Sequence, residues 1–161
     1  MKETLSGLFS QEISKLVVPK EQVVTVYPDW SLERALQVLT RRGYTSVPVI
    51  DGEERVEGVI SKTHILDLML TSLDSQFTKL SQYQVREAMD QNHSGILANS
   101  VFSFAFDVLI NRPYIPIIDM ENRFAGILTR KVLMEKVTEH YQQEFLENMN
   151  TQSDHSDMSD S

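Results

Sequence analysis

The sequence contains no cysteine. That absence excludes a disulfide framework and a thiolate metal site. The longest apolar runs stay far below the roughly 18 residues that a transmembrane helix needs. The N-terminal stretch MKETLSGLFSQEISKL carries charges where a signal peptide has its apolar segment. We therefore expect a cytoplasmic protein that does not cross a membrane.

Positive charge is also scarce, because 15 Lys and Arg residues face 23 Asp and Glu, for a net charge of −8. This balance argues against DNA as a partner, since nonspecific binding relies on Lys and Arg that neutralise phosphates. The tail from Glu147 onward, ENMNTQSDHSDMSDS, has no Lys or Arg at all. With so little apolar surface to bury, residues 148–161 are predicted to be disordered. His155, between Asp154 and Asp157, is interpreted as part of this solvated tail and not as a metal ligand.

Signatures of catalysis are missing as well. The chain has no P-loop, no G-x-S-x-G and no H-E-x-x-H, and its four His residues share no spacing. At 161 residues and 41% hydrophobic content, it is nevertheless long enough for a compact domain with a core. The composition therefore favours a globular protein that is not an enzyme and holds no metal.

What the sequence does contain is an internal repeat. The stretch VPVIDGEERVEGVISKTHIL, which starts at Val47, aligns at a fixed offset with IPIIDMENRFAGILTRKVLM, which starts at Ile115. The two copies are identical at Pro48/Pro116, Ile50/Ile118, Asp51/Asp119, Glu53/Glu121, Arg55/Arg123 and Gly58/Gly126. Six identities in one frame, with a polar turn in the middle, are well above chance. The repeat therefore predicts two structurally equivalent halves.

Upstream of these stretches, apolar residues at helical spacing predict that each copy begins with an amphipathic helix after a short strand. Asp29 or Ser31 is the expected N-cap of the first helix, and Asn99 or Ser100 is the expected N-cap of the second. The second copy is two residues shorter between helix and strand, where RRGYTSVP becomes NRPYIP.

A hairpin and a further helix complete each copy. Residues 47–50 and 56–60 are rich in β-branched side chains and flank a D-G turn, which predicts a hairpin. One such unit of about 50 residues would be marginal, so the two copies are expected to pack around a shared core. Before them, a helix over about 3–17 has apolar residues at helical spacing and is expected to dock: Leu5, Leu8, Phe9, Ile13 and Leu16.

These patterns predict an α/β (α+β) fold of small sheets with helices on one face. The predicted division of the chain is an N-terminal helix and lead-in over 1–20, a first repeat over 21–72, a linker helix over 73–91, a second repeat over 92–140, and a helix end with a disordered acidic tail over 141–161.

The repeat resembles the CBS motif (the cystathionine-β-synthase domain), two of which in tandem form a Bateman module. The similar parts are V-x-V-x-x-D-x-S-L-x-x-A-L at 24–36, GYTSVPVID at 43–51, and the strand ends GVIS and GILT. Together they span roughly residues 12–140. The resemblance implies two CBS motifs, each a small three-stranded sheet with flanking helices, packed about a pseudo-two-fold axis. It also implies a regulatory sensor of adenosine nucleotides.

A narrower resemblance concerns the ligand. LERALQVLTRRGYTSVPVID and GILTRKVL are similar to the stand-alone CBS pairs of Gram-positive bacteria that bind cyclic di-AMP (the CbpB/DarB type). Many nucleotide-binding CBS motifs carry a ribose-reading Asp where this chain has His64 and Val132. Its absence favours cyclic di-AMP, whose phosphodiesters engage ribose oxygens. The alternatives are an energy sensor that binds AMP, ADP or ATP, and a scaffold dimer with a degenerate pocket.

The same resemblance implies a set of nucleotide-binding residues. Arg130 and Lys131 would hold phosphates, with Thr129 beside them, at a helix N-terminus that favours anions. An adenine pocket would be lined by Tyr44, Thr45, Ser46, Val47 and Pro48 and faced by Gln22, Val23 and Val24.

Two departures qualify this set. Relatives of this type carry Lys at the position of Gln22, and an uncharged amide there would lower affinity. The shorter second copy lacks counterparts of Thr45 and Ser46, which favours one nucleotide site per chain.

Partners follow from the family too. CBS pairs commonly dimerise through their helices, and the apolar faces of 61–71 and 128–137 suit a homodimer. The resemblance further implies a target protein that the nucleotide controls, such as the (p)ppGpp synthetase/hydrolase Rel or pyruvate carboxylase.

Overall fold

The computed structural model describes residues 5–71, 77–92 and 95–156. The helices are α1 (Leu5–Phe9), α2 (Leu32–Arg42), α3 (Lys62–Thr71), α4 (Val85–Ala88), α5 (Phe102–Leu109) and α6 (Arg130–Ser156). The strands are β1 (Val18–Pro19), β2 (Ser46–Ile50), β3 (Val56–Ser61), β4 (Ile96–Leu97), β5 (Tyr114–Ile118) and β6 (Phe124–Thr129). The mixed fold is confirmed, and so is the order of helix, two strands and helix in each copy.

The first hairpin joins β2 and β3, which pair antiparallel with Val47 opposite Ile60. Its turn is closed by Asp51, whose Oδ1 accepts the backbone N–H groups of Glu53 (2.8 Å) and Arg55 (2.9 Å). The turn residue with positive φ is Glu54, at 64°. The predicted hairpin is therefore present, with its left-handed position two residues beyond Gly52.

The second hairpin repeats the turn bond for bond. Asp119 Oδ1 accepts the backbone N–H groups of Glu121 and Arg123, both at 2.9 Å, and Asn122 has φ 63°. The backbone hydrogen bond from Arg123, followed by that from Glu121 and by the nearby guanidinium, holds the pKa of the Asp119 carboxyl below its ordinary value, against a smaller desolvation effect. The sequence repeat is thus a structural repeat down to single hydrogen bonds.

The two hairpin turns also bond to each other. Val56 donates its N–H to the carbonyl of Asn122 (3.1 Å), and Phe124 donates to that of Glu54 (2.7 Å). Exchanging every residue for its repeat partner turns one of these bonds into the other. This reciprocal pair supports a pseudo-two-fold relation between the hairpins.

Two compact units make up the chain. The hairpin unit comprises Val17–Ala98 and Ile115–Ile127, and the helical unit comprises Asn99–Tyr114 together with the segments up to Leu16 and from Leu128 onward. This division differs from the predicted one at 21–72 and 92–140. It differs because strand pairing is non-local: β6 pairs antiparallel with β1, which places most of the second hairpin in the hairpin unit.

The core of the hairpin unit forms where α2 covers β2 and β3. Its fully buried members include Leu32, Ala35, Leu39, Val49, Ile60 and Ile65. Ser31 is the predicted N-cap, and its Oγ accepts the N–H of Arg34 at 3.2 Å. The expected first strand, VVTVY, is reduced to one parallel bridge between Val26 and Val49.

Close backbone crossings explain the glycines that the repeat shares. A Cβ on Gly58 would meet the carbonyl oxygen of Asp90, and one on Gly126 would meet that of Val18. Each glycine therefore lets a second segment pass directly against the last strand of its hairpin.

The helical unit is held by aromatic packing. The ring of Phe9 lies 5.7 Å from Phe102 and 6.2 Å from Phe106, both edge-on. Leu8 and Ile13 are buried, so the expected docking of the N-terminal segment is confirmed. The segment is not one helix over 3–17, however, because α1 ends at Phe9 and Ile13 donates its N–H to the Ser100 carbonyl (2.9 Å).

The same backbone contact changes the cap of α5. Its N-cap is Val101, without a side-chain bond, in place of the predicted Asn99 or Ser100. The N–H of Phe102 donates to the carbonyl of Gln11 at 2.7 Å. Tertiary backbone contacts thus satisfy a helix end for which the sequence suggested a side chain.

The linker and the tail differ from expectation in length. In the predicted linker helix over 73–91, the structure has a 3-10 segment at Phe77–Gln82 and the short α4, while 72–76 lie outside the described residues. Helix α6 continues to Ser156, beyond the start of predicted disorder at 148. Thr151 and Ser153 donate hydroxyl bonds to the carbonyls of Glu147 and Met149 one turn back, so these polar residues fit a helix. Residues 157–161 lie outside the description.

No helix in the described ranges is both long enough and apolar enough to cross a membrane.

Candidate functional site

The predicted nucleotide-binding residues fall into two groups. Residues 22–24 and 44–48 belong to the hairpin unit, whereas Thr129, Arg130 and Lys131 belong to the helical unit. Each group has its own local geometry.

The first part of the hairpin-unit group follows β1. Gln22 ends a 3-10 helix, Lys20–Gln22, and is exposed. Val23 is half-buried against the cluster of Ile50, Val56 and Phe124, and Val24 packs on the α2 core. Gln22 is therefore the member of this stretch whose side chain is most open to a ligand.

The second part leads from α2 into β2. Gly43, with φ 68°, ends α2 in the left-handed conformation. Tyr44 is 40% exposed, Thr45 is exposed and Ser46 is half-buried, whereas Val47 and Pro48 are buried. The polar side chains therefore lie at the N-terminal end of β2. The two buried residues support this wall from inside the core.

The junction of β3 and α3 shows what replaces the ribose-reading Asp in the first copy. Ser61 Oγ accepts the N–H of His64 (3.0 Å), and His64 Nδ1 accepts the N–H of Ser61 (3.1 Å). These reciprocal bonds close the start of α3 like a capping box. The pattern Ser-x-x-His could have signalled this role in the sequence. His64 Nδ1 is occupied by the cap, which leaves it unavailable as an acceptor for ribose hydroxyls.

The matching junction of β6 and α6 carries the cations. Thr129 Oγ1 accepts the N–H of Val132 at 3.2 Å and so caps α6. Arg130 is anchored twice, by its N–H to Pro113 (2.9 Å) and by Nη1 to the Ile110 carbonyl (3.2 Å). Lys131 is 84% exposed.

The electrostatics of this helix start are unusual. An α-helix N-terminus carries partial positive charge and favours acidic side chains, yet the first turn of α6 contains Arg130 and Lys131 and no acid. The nearest carboxylate contact is Glu135, 3.9 Å from Lys131 Nζ at an exposed site, where screening leaves little attraction. Two cations on a positive helix end are an arrangement that electrostatically favours an anion.

Within the described residues, no group of three His, Cys, Asp or Glu side chains is arranged to hold a metal ion.

Comparisons with known proteins agree on one family. A family model described as CBS domain matches residues 13–71. Cyclic di-AMP receptor B of Bacillus subtilis (strain 168) is 29% identical over 133 residues, which are 83% of this chain and 90% of the receptor. The crystal structure of the CbpB protein of Listeria monocytogenes in complex with c-di-AMP is 28% identical with a TM-score of 0.75, and the likeness covers 81% of this chain and 98% of that one.

Some enzymes are also similar to this chain, but only over a small part of their own length. The inosine-5'-monophosphate dehydrogenase of Halobacterium salinarum is 26% identical over 126 residues, which are 76% of this chain but 23% of the dehydrogenase. Three quarters of that enzyme therefore have no counterpart here, and the likeness does not extend to its activity.

Proposed function

We propose that this chain, which contains a CBS domain and is similar to cyclic di-AMP receptor B, binds cyclic di-AMP and thereby regulates a target protein in the cytoplasm. Two relatives that are matched along most of their length are a cyclic di-AMP receptor and a protein solved in complex with c-di-AMP, and the proposal assigns no catalytic residue.

The observation that carries the proposal is the pair of cations at the start of α6. Each of them is unfavourable on a positive helix end unless an anion is present. Arg130 already has a fixed backbone anchor at Ile110, so its guanidinium is held in place before a ligand arrives. In this proposal Arg130 and Lys131 contact phosphate, and Thr129 keeps the helix start closed.

Adenine recognition is assigned to the hairpin unit. The N-terminal end of β2 offers a half-exposed ring at Tyr44 and hydroxyl groups at Thr45 and Ser46. Gln22 adds an amide that can donate to a ligand oxygen, whereas Val23, Val24, Val47 and Pro48 shape the wall behind them. Cyclic di-AMP is favoured over AMP, ADP and ATP because His64 caps α3 and Val132 has no polar side chain.

Calorimetry tests the ligand. The purified protein is titrated with cyclic di-AMP and, separately, with AMP, ADP and ATP. We expect saturable binding of cyclic di-AMP at about one ligand per chain, and its loss in Arg130→Ala and Lys131→Gln. Lys136→Gln is the matched control, since it removes a cation from the same helix beyond its first turn. Binding of the mononucleotides alone would replace this proposal with an energy sensor, and no binding at all would favour a scaffold.

Circular dichroism separates lost binding from lost folding. Arg130→Ala removes the bond to Ile110 and is expected to cost some stability. Lys131→Gln removes only an exposed contact of 3.9 Å, so its fold should be intact. A loss of binding shared by both variants, with the fold intact in Lys131→Gln, assigns the effect to phosphate recognition.

The proposal also includes a homodimer and a protein target. Large apolar side chains are exposed on α3, at Leu66 and Leu70, and on α6, at Met134. Light scattering after gel filtration should give twice the mass of 18.5 kDa. Rel and pyruvate carboxylase are the targets to immobilise first. We expect the ligand-free protein to bind its target, and cyclic di-AMP to release it, since a ligand shifts an equilibrium only through unequal affinity for the two states.

A further inference from the structure

A second cleft opens entirely within the hairpin unit and shares no residue with the proposed nucleotide-binding set. Its volume is about 710 Å³, within the range of pockets that hold ligands. The walls come from the turn at 27–30 before α2, the tip of the first hairpin at 51–52, Glu57 on β3 and Arg86 on α4.

The cleft contains a prearranged aromatic and arginine cluster. The guanidinium carbon of Arg34 lies 3.6 Å from the ring centroid of Trp30. The ring of Tyr27 lies 5.8 Å from that of Trp30 and is 42% exposed. Trp, Tyr and Arg are the residue types most enriched in the energetic centres of protein interfaces. Because Arg34 is already stacked, a partner that contacts it meets less ordering cost.

Several charged side chains in the same cleft have no hydrogen-bond or ion-pair partner within the described part of the chain. The Oδ1 atom of Asp51 is used inside its own turn. By contrast, the side chains of Asp29, Glu57 and Arg86 make no hydrogen bond or ion pair with any of the residues that the structure describes. Among the described residues, the side chains of Asp29, Glu57 and Arg86 are therefore available to bind charged groups beside the rings of Tyr27 and Trp30.

This mixture of charges limits the kinds of molecule that the cleft can bind. Three carboxylates in the lining disfavour a phosphate or a nucleic acid, and the polar walls disfavour an apolar molecule. A protein loop supplies both signs of charge, and complementary charges give such contacts their specificity.

We propose that this cleft docks a polar loop of a protein partner, which directs a basic side chain to Asp29 and Glu57 and an acceptor to Arg86. Tyr27 and the Trp30–Arg34 stack form the anchor for that loop. The inference rests on the proposed regulatory function, because a regulator without catalytic residues acts through a partner. It assigns partner contact and nucleotide contact to different residues.

Fluorescence provides a direct test, because Trp30 is the only tryptophan in the chain. The probes are four synthetic peptides of equal length that carry one Arg, one Glu, both or neither. We expect a saturable change in Trp30 emission with the peptide that carries both, a weaker change with the Arg peptide, and none with the other two.

Charge variants then locate the contact. Glu57→Gln and Arg86→Gln should each lower the affinity for the mixed-charge peptide by about three- to fivefold, the size of effect expected for exposed ion pairs. Glu33→Gln and Arg42→Gln are matched controls, since both side chains are exposed on α2 and neither lines the cleft. Peptides that give no saturable change, or equal affinity in all variants, would overturn the docking proposal.

A parallel titration with cyclic di-AMP keeps the two proposals distinguishable. Nucleotide affinity should be the same in Glu57→Gln, Arg86→Gln and the wild type. Peptide binding without nucleotide binding would refute the proposed ligand and leave the docking site supported. Nucleotide binding without any peptide response would support the proposed ligand and refute the docking site.

Discussion

Lys131 allows a prediction in which ligand binding and stability change in opposite directions. In Lys131→Glu, a cation at the start of α6 becomes an anion. If Lys131 binds a phosphate of the ligand, the variant should have a lower affinity for cyclic di-AMP. The ligand-free protein should nevertheless become slightly more stable, because an acid at a helix N-terminus is favourable.

The magnitudes follow from the exposure of the site. A charge near a helix end contributes about 0.3–1 kcal/mol, and the lower end applies because the Lys131 side chain is 84% exposed. Reversing the charge should therefore gain about 0.6 kcal/mol, twice that lower value. Losing the attraction to Glu135 and replacing it with repulsion should each take back about 0.2 kcal/mol, the lower end of the range for an i,i+4 pair, because both side chains are exposed. The net expectation is a gain of about 0.2 kcal/mol in the free energy of unfolding.

The loss of binding should be much larger. A hydrogen bond to a charged group contributes about 1.5–3 kcal/mol, so affinity should fall by more than about tenfold. Wild-type protein at a ligand concentration of 100 times Kd should gain about 2.7 kcal/mol of stability, and the variant should gain far less at that concentration.

Urea unfolding with and without cyclic di-AMP measures both effects on the same samples. Lys136→Glu is the control: it lies beyond the first turn of α6 and loses its contact with Glu139 (3.4 Å), so stability should fall while affinity stays. Unchanged affinity in Lys131→Glu, or a ligand-free variant less stable by more than about 1 kcal/mol, would contradict a role for Lys131 in binding phosphate.

Three further predictions concern other parts of the molecule. Gln22→Lys should raise affinity for cyclic di-AMP about tenfold in calorimetry, because a charged donor replaces a neutral one. Gly126→Ala should lower the free energy of unfolding by about 2 kcal/mol or more, since its Cβ would meet the Val18 carbonyl, whereas Gly52→Ala has open space and should be nearly neutral. Asp119→Asn should be less stable than wild type at pH 7, and urea unfolding should show this deficit disappear in acid. The sign follows from its lowered pKa: the stabilisation is complete above the unfolded value of 3.8 and is lost as pH falls through the folded value.

Local chemistry was predictable from the sequence where the bonding partners are neighbours along the chain. Asp51 and Asp119 close their own turns, and Ser31 caps its own helix. The cap of α5 was not predictable, because its donor bonds to Gln11 far along the chain. The compact units escaped prediction for the same reason, since they depend on the pairing of β1 with β6.

At the proposed nucleotide site, too, features set by neighbouring residues were predictable and features set by distant residues were not. The repeat located the junctions at 61–64 and 129–132, and both carry the expected hydroxyl at the helix start. The burial of Val47 was not visible in sequence, because Val47 is buried in the core cluster that α2 helps to form. The second cleft was also missed, since its walls come from four separate stretches that look like ordinary solvated surface.

The reciprocal bonds between the two hairpin turns bear on how such a chain could arise. Val56 to Asn122 and Phe124 to Glu54 are equivalent under exchange of the repeats. An interaction of this kind is isologous, so a single copy of the motif could make both bonds with a second copy of itself. Gene duplication and fusion would then turn an association between two chains into one within a single chain, at a high effective concentration. The halves now differ: Thr45 and Ser46 of the first have no counterpart in the second, and the second has Arg130 and Lys131 where the first has Lys62 and Thr63.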